Sequence, residues 1–180
     1  MNTIEIENDT EMYDKIVSHF EKQLDRTNYW LSFAEAKNGA VIAVNIALMA
    51  VLVEIFDKAP VFCVVAMCCF LVSCGLSLIS FIPNTNSRPD VEKSTDYDAM
   101  NLLFYGDIAL IGTTSKYIEL SINRYFTGVE PMIGDKIVYD LASNVLINSR
   151  IAMKKYGLFK WAVKVDFLAI AFIIIFLCAA

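Results

Sequence analysis

The chain has 180 residues, 57% of them hydrophobic and 19% charged, with a net charge of −5. Its mean hydropathy of +0.51 and apolar share exceed the ~45–50% apolar usage of soluble domains. The acidic balance excludes a general binder of polymeric DNA or RNA, which needs surplus positive charge to displace counterions.

The charges are segregated along the chain, leaving room for one compact polar domain at most beside the apolar segments. Residues 1–9 are acidic and aperiodic and read as a loose tail, with Thr10 as the predicted N-cap of a helix. From there Tyr13, Ile16, Val17, Phe20, Leu24, Trp30, Phe33 and Ala34 recur at three-and-four spacing, the mark of an amphipathic helix. No Pro or Gly interrupts it before Gly39, so it is expected to run on into the apolar stretch that follows, with Tyr29 and Trp30 at the membrane interface.

Residues 39–56 hold one ionisable side chain, Glu54, and residues 61–82 hold none. A bilayer core needs ~20 apolar residues per helix, so these two runs read as a membrane hairpin closed by Asp57, Lys58, Ala59 and Pro60. Pro83 ends the second span, and residues 84–94, with Arg88 and Pro89, form a solvated linker. The run Asn101 to Ile108 is either a short extended piece or one helical turn, because periodicity cannot decide over so few residues. Thr113 or Thr114 then caps a helix carrying Tyr117, Ile118, Leu120, Ile122 and Phe126, which stops near Gly128 and Pro131. One long helix is predicted from Asp135 to the C-terminus, with a bend admitted at Gly157. Its last part, with Asp166 as the one charge beyond Lys164, forms a third span behind a collar from Trp161 to Lys164.

These elements define an all-α membrane protein: three transmembrane helices with a helical cytosolic domain built from the N-terminal helix and the segment between spans two and three. Residues 1–38 are the cytosolic amphipathic helix, 39–82 the transmembrane hairpin, 83–160 the cytosolic sensor region and 161–180 the third transmembrane helix. Basic residues flank the hairpin while its turn offers Lys58 alone. The N-terminus and the central region are therefore expected in the cytosol and the C-terminus outside. No signal peptide is expected, since the residues before Gly39 are mixed and acidic.

Little in the chain suits catalysis. His19 is the single histidine and has no second ligand four residues away, so it reads as a surface or packing residue. Cys63, Cys68, Cys69, Cys74 and Cys178 all lie in apolar runs, where cysteine behaves as a small hydrophobe. Asp96, Asp98 and Asp107 read as solvated loop charges, not a metal site. The chain is read as a non-enzyme without a cofactor.

Two polar features carry more. Asn38 and Asn45 are seven residues apart on one face of the first span, and an amide in hydrocarbon needs a partner. That partner lies either across an oligomer or pore interface or on another span of the same protomer. The second feature is basic: Arg150 and Lys154 share a helical face beside Lys155, and Arg124 lies on the preceding helix. These residues could hold a phosphate, with Tyr105 or Tyr117 stacking on a base, or they could form a positive collar on anionic lipid head groups. The second alternative makes the chain a non-catalytic membrane adaptor or structural subunit with a lipid-binding basic collar.

Three blocks stand in order relative to the spans: residues 28–39 (NYWLSFAEAKNG) ahead of Asn45, residues 101–108 (NLLFYGDI), and residues 148–156 (NSRIAMKKY) before the last span. In this arrangement the chain resembles the Pycsar transmembrane effector family of bacterial anti-phage defence, with Glu35 where that family often has Asp. The resemblance implies a receptor in the bacterial inner membrane. It would sense a cyclic nucleotide, a cyclic pyrimidine monophosphate, from a partner cyclase, and then compromise the membrane to halt growth of the infected cell. The implied partners are that nucleotide, membrane lipid and further copies of the chain as a homo-oligomer. The nucleotide contacts named above rest on the charge argument alone.

Overall fold

The computed structural model describes residues 3–82 and 97–179, with side chains described for 9–82 and 97–175. The predicted linker over residues 84–94, with Arg88 and Pro89, lies outside the described residues, as do Asp96 and the side chain of Cys178. Among the described residues the regular elements are all helical. Helix α1 spans Thr3–Glu54, a 3₁₀ turn Phe56–Lys58 follows, and α2 spans Pro60–Ser80; α3 covers Tyr105–Ile108, α4 Thr114–Tyr125 and α5 Lys136–Ala179.

Helix α1 begins at Thr3, so Thr10 lies within it and is not its cap. Nothing between the two positions breaks a helix, and extending an existing helix adds a hydrogen bond for each residue fixed. Helix α2 opens with Pro60 in its first turn, where a missing N–H costs nothing. The Thr113 side chain caps α4 by accepting from the Lys116 N–H, and Gly128, at φ +83°, turns the chain after it. Asp135 Oδ1 accepts the Val138 N–H at 2.9 Å and starts α5, which is unbroken through Gly157. The ambiguous run at Asn101 to Ile108 resolves as a pinned turn followed by the single helical turn α3.

The chain divides into two compact units, residues 1–31 with 85–153 and residues 32–84 with 154–180. Unit 1 has a conventional core. Ile16 and Phe20 of α1, Tyr117, Ile118 and Ile122 of α4, and Val138, Val145 and Leu146 of α5 are fully buried. Those positions follow the three-and-four spacing of the sequence, which is why each helix offers one apolar stripe.

Unit 2 is built the other way round. Its buried cluster is small, with Leu52, Ala59, Cys63, Ala66, Phe70 and Ala169, while large apolar side chains face outward: Ile46 57%, Val61 72%, Leu71 59% and Phe167 67% exposed. Helices α1 and α2 each contain a window long and apolar enough to cross a membrane, and only 17% and 33% of those windows are buried. A core helix of a soluble protein hides its apolar residues from solvent. An outward apolar surface of this extent fits a hydrocarbon surround instead.

Candidate functional site

Apart from the single turn of α3, the segment from Tyr97 to Gly112 is irregular, so most of its backbone groups need partners outside a helix ladder. Some are local. The Asn101 N–H donates to Asp107 Oδ2 at 2.8 Å and the Leu103 N–H to Asn101 Oδ1 at 3.0 Å, which folds the run into a turn held by its own side chains. Gly106 allows the close approach inside it, since a Cβ there would stand 2.5 Å from Phe104 Cε1. Gln23 of α1 reaches in as well, donating from Nε2 to the Leu102 carbonyl at 3.1 Å.

Both ends of the segment are fastened by arginines. Arg124, exposed on α4, donates to the carbonyls of Met100, of Tyr97 at 3.2 Å and of Asp98 at 3.3 Å. Arg150, half-buried on α5, donates from Nη2 to the carbonyls of Ile111 at 2.6 Å and Gly112 at 3.0 Å, and from Nε to Ala109 at 3.4 Å. A guanidinium has five N–H donors in a fixed fork, so each arginine can serve several carbonyls at once. The arrangement is a double clamp on one loop.

The other predicted residues stand as follows. Tyr105 lies inside the clamped segment with its ring 5.6 Å from Trp30 and 4.7 Å from Phe104, and burial raises its hydroxyl above the usual 10. Tyr117 is fully buried and meets Phe20 edge-on at 5.8 Å; burial pushes its hydroxyl well up. Lys154 and Lys155 belong to unit 2. Lys154 is exposed, whereas Lys155 is 8% exposed and pairs with Glu35 at 2.7 Å. The structure thus brings Arg124, Arg150 and Tyr105 to one segment of unit 1, sets Tyr117 in the core and gives Lys155 a carboxylate.

Sequence reasoning missed the partners of this clamp. Gln23 carried no signal, Trp30 was read for the apolar stripe and the membrane interface, Asp107 as a solvated loop charge, and Asn101 was visible only as a member of a block. His19 is a packing residue, as predicted: its ring lies 5.3 Å from Phe20, 5.1 Å from Tyr125 and 5.5 Å from Phe126. Burial, then the charges of Arg26 and Lys22, lower its pKa below 6.5.

Comparison with known proteins places the chain in a family. A family model described as the Pycsar effector protein domain matches residues 19–180, and so covers most of both units. The chain belongs to the Pycsar effector family. This Pycsar effector is 28% identical to Pycsar effector protein PtPycTM of Propioniciclava tarda over 136 residues, 74% of this chain and 64% of that protein. It is 29% identical to Pycsar effector protein RsPycTM of a Rhizobium species over 137 residues, 72% of this chain and 76% of that protein. The match therefore spans less than two thirds of the length of the Propioniciclava relative. No solved structure matches the chain. Both relatives are named effectors.

Proposed function

We propose that this Pycsar effector is an inner-membrane protein of anti-phage defence that a cyclic nucleotide, made by a partner cyclase, switches into a form that breaches the membrane. The outward apolar surface of the hairpin helices, in a chain of this family, is the observation that carries the reading. Three spans, including the last part of α5, anchor it, with the N-terminus and unit 1 in the cytosol. Copies of the chain assemble as a homo-oligomer in the membrane.

The double clamp suggests how a nucleotide acts. Arg124 and Arg150 are bound to neutral carbonyls, and a cyclic phosphate is a stronger acceptor because its hydrogen bonds are charge-assisted. A cyclic pyrimidine monophosphate that takes a guanidinium from those carbonyls frees the segment between Tyr97 and Gly112, and Tyr105 within that segment offers a ring to the base. Arg124, being the exposed one, makes the first contact. To carry a population from about 1:99 to about 99:1 the ligand must prefer the active form by ~5.5 kcal/mol, within reach of a few charge-assisted contacts.

Calorimetry of the detergent-purified full-length protein against a panel of cyclic mononucleotides tests the ligand, and dye release from liposomes tests the breach. Binding of one cyclic pyrimidine monophosphate, lost in Arg124→Glu, together with ligand-dependent leakage, supports the proposal. An unchanged ligand affinity in Arg124→Glu removes the site. Absence of binding and leakage favours the adaptor with a lipid-binding collar, for which the existing carbonyl bonds of both arginines already supply a structural role.

A further inference from the structure

Unit 2 contains a file of buried polar groups that the proposed activation does not use. On α1, Asn38 and Asn45 are 0% and 1% exposed, and on α2, Ser73, Ser77 and Ser80 are 0%, 0% and 2% exposed. Their spacings of seven, four and three residues keep each set on one helix face. Asn45 Nδ2 donates to Ser73 Oγ at 2.9 Å and to Asp166 Oδ1 at 3.0 Å, and Ser73 also bonds the Asp166 carboxylate. Three helices, α1, α2 and α5, therefore meet at one ionisable group.

The file has a polar end and an apolar end. At the polar end stand the Glu35–Lys155 ion pair and Asn38, whose Nδ2 donates to the Ala34 carbonyl at 2.9 Å and the Lys155 carbonyl at 3.4 Å. Phe81, one residue beyond Ser80, lies 6.0 Å from Lys155 Nζ, so Ser77 and Ser80 occupy the stretch of α2 between Lys155 and Asp166. Along that stretch Asn38 Oδ1, Ser80 Oγ, Ser77 Oγ and Asn45 Oδ1 are buried without a protein partner. Beyond Asp166 the packing is apolar, with Leu52, Phe70 and Ala169 in its cluster.

A buried polar atom left unpaired costs about 1–3 kcal/mol, and hydrocarbon supplies no partner from the side. Water entering from the Glu35–Lys155 end would give these four atoms partners, as buried polar sites commonly hold water. Asp166 is half-buried at the end of this file, and a carboxylate inside a membrane belongs to the class of groups that take up protons.

We propose that Asp166, held by Asn45 and Ser73, is a proton-binding site inside the membrane unit, reached through the file of Asn38, Ser80 and Ser77 and bordered beyond it by apolar packing. This rests on the membrane reading above. The proton adds to a carboxylate oxygen and no other bond is made or broken. Its arrival removes the charge that the Asn45 and Ser73 donors hold, and so loosens the tie among the three helices. Among charged neighbours, Lys37 of α1 lines the same surface groove as Asp166 and is itself ringed by Phe33, Tyr156 and Phe159 at 4.6, 5.5 and 5.3 Å. On α5, Lys164 lies over Trp161 at 4.5 Å. Helix α2 brings no charged residue, its titratable groups being Cys63, Cys68, Cys69 and Cys74.

That groove, about 270 Å³ with Ala40, Val44, Phe159 and Val163 in its apolar walls, gives a route for the test. Dicyclohexylcarbodiimide travels in lipid and reacts with protonated carboxyls. The full-length protein in liposomes is treated with it from about pH 5 to about pH 9, a range wide enough to follow a carboxyl away from bulk water, and the Asp166 peptide is quantified by mass spectrometry. Expected is modification at Asp166 that falls several-fold as pH rises. In Asn45→Leu, or in Ser73→Ala should the first variant fail to fold, loss of a donor to the charged form moves the midpoint upward by about one unit. Absent or pH-independent modification, in protein whose α2 resists added protease, overturns the proton site and leaves the membrane reading intact. Equal modification of Asp166 by a water-soluble carbodiimide, with α2 open to protease, overturns the membrane reading and this site with it.

Discussion

Arg150 has a structural duty that can be separated from any ligand. Its three carbonyl acceptors belong to Ala109, Ile111 and Gly112, and Ile111 and Gly112 are buried, so no water stands ready to replace the guanidinium. Arg150→Ala should destabilise unit 1 by ~1–3 kcal/mol, seen as an earlier denaturation midpoint. Arg150→Lys should recover only part of the loss, because an ammonium lacks the planar fork. The same loss at Arg124→Ala would be smaller, since that side chain is exposed and water can serve the freed carbonyls. His19 gives a second test at this scale. Its folded-state pKa is lowered by burial, so the unfolded chain binds the proton more readily. Stability is then fully present above the ordinary value of 6.5 and falls as pH drops below it. His19→Phe, which suits the surrounding Phe20, Tyr125 and Phe126 rings, should flatten the slope of melting temperature against pH between about 7 and about 5.

Helices differ in how much of their partnership the sequence reveals. The core face of α1 in unit 1 was legible, since Ile16 and Phe20 fall on the apolar stripe and are fully buried. The Thr113 cap was legible too, because its hydroxyl meets a donor only three residues on. The clamp was not, for a reason of chemistry: Arg124 and Arg150 bind backbone carbonyls, which every residue possesses and no side-chain letter announces. Asn45 falls between these cases. Its position in an apolar run demanded a partner, yet Ser73 and Asp166 lie 28 and 121 residues away, beyond any local spacing rule. Both acceptors of the Asn45 Nδ2 group are on the same chain, one on α2 and one on α5. Helix α2 supplies a prediction of its own. Leu71, 59% exposed, faces outward near mid-helix, where an aspartate costs ~2.5–3.5 kcal/mol of membrane insertion. Leu71→Asp should therefore shift the protein out of the alkali-resistant membrane fraction, while Asn123→Asp on the exposed face of α4 should leave that fraction unchanged.

At the scale of the whole molecule the decisive quantity is the number of spans. Two helices carry complete crossing windows, and α5 adds a 44-residue helix whose later part shows Phe167, Leu168, Ile174 and Ile175 at 67%, 53%, 54% and 62% exposure. Outward apolar side chains of that size have the same physical reason to seek lipid as those of α2, and Trp161 with Lys164 forms the kind of collar that marks an interface. An even number of crossings returns the chain to the side on which it started; an odd number does not. Alkaline phosphatase, which is active only outside the cytosol, should therefore be active when fused after Ala180 and inactive when inserted after Glu130, while a fluorescent protein at that second site should glow. An inactive phosphatase at the C-terminus would leave the hairpin as the sole crossing. Asp166 would then stand in the headgroup region or in water, without the hydrocarbon surround that makes its tie to Asn45 and Ser73 matter.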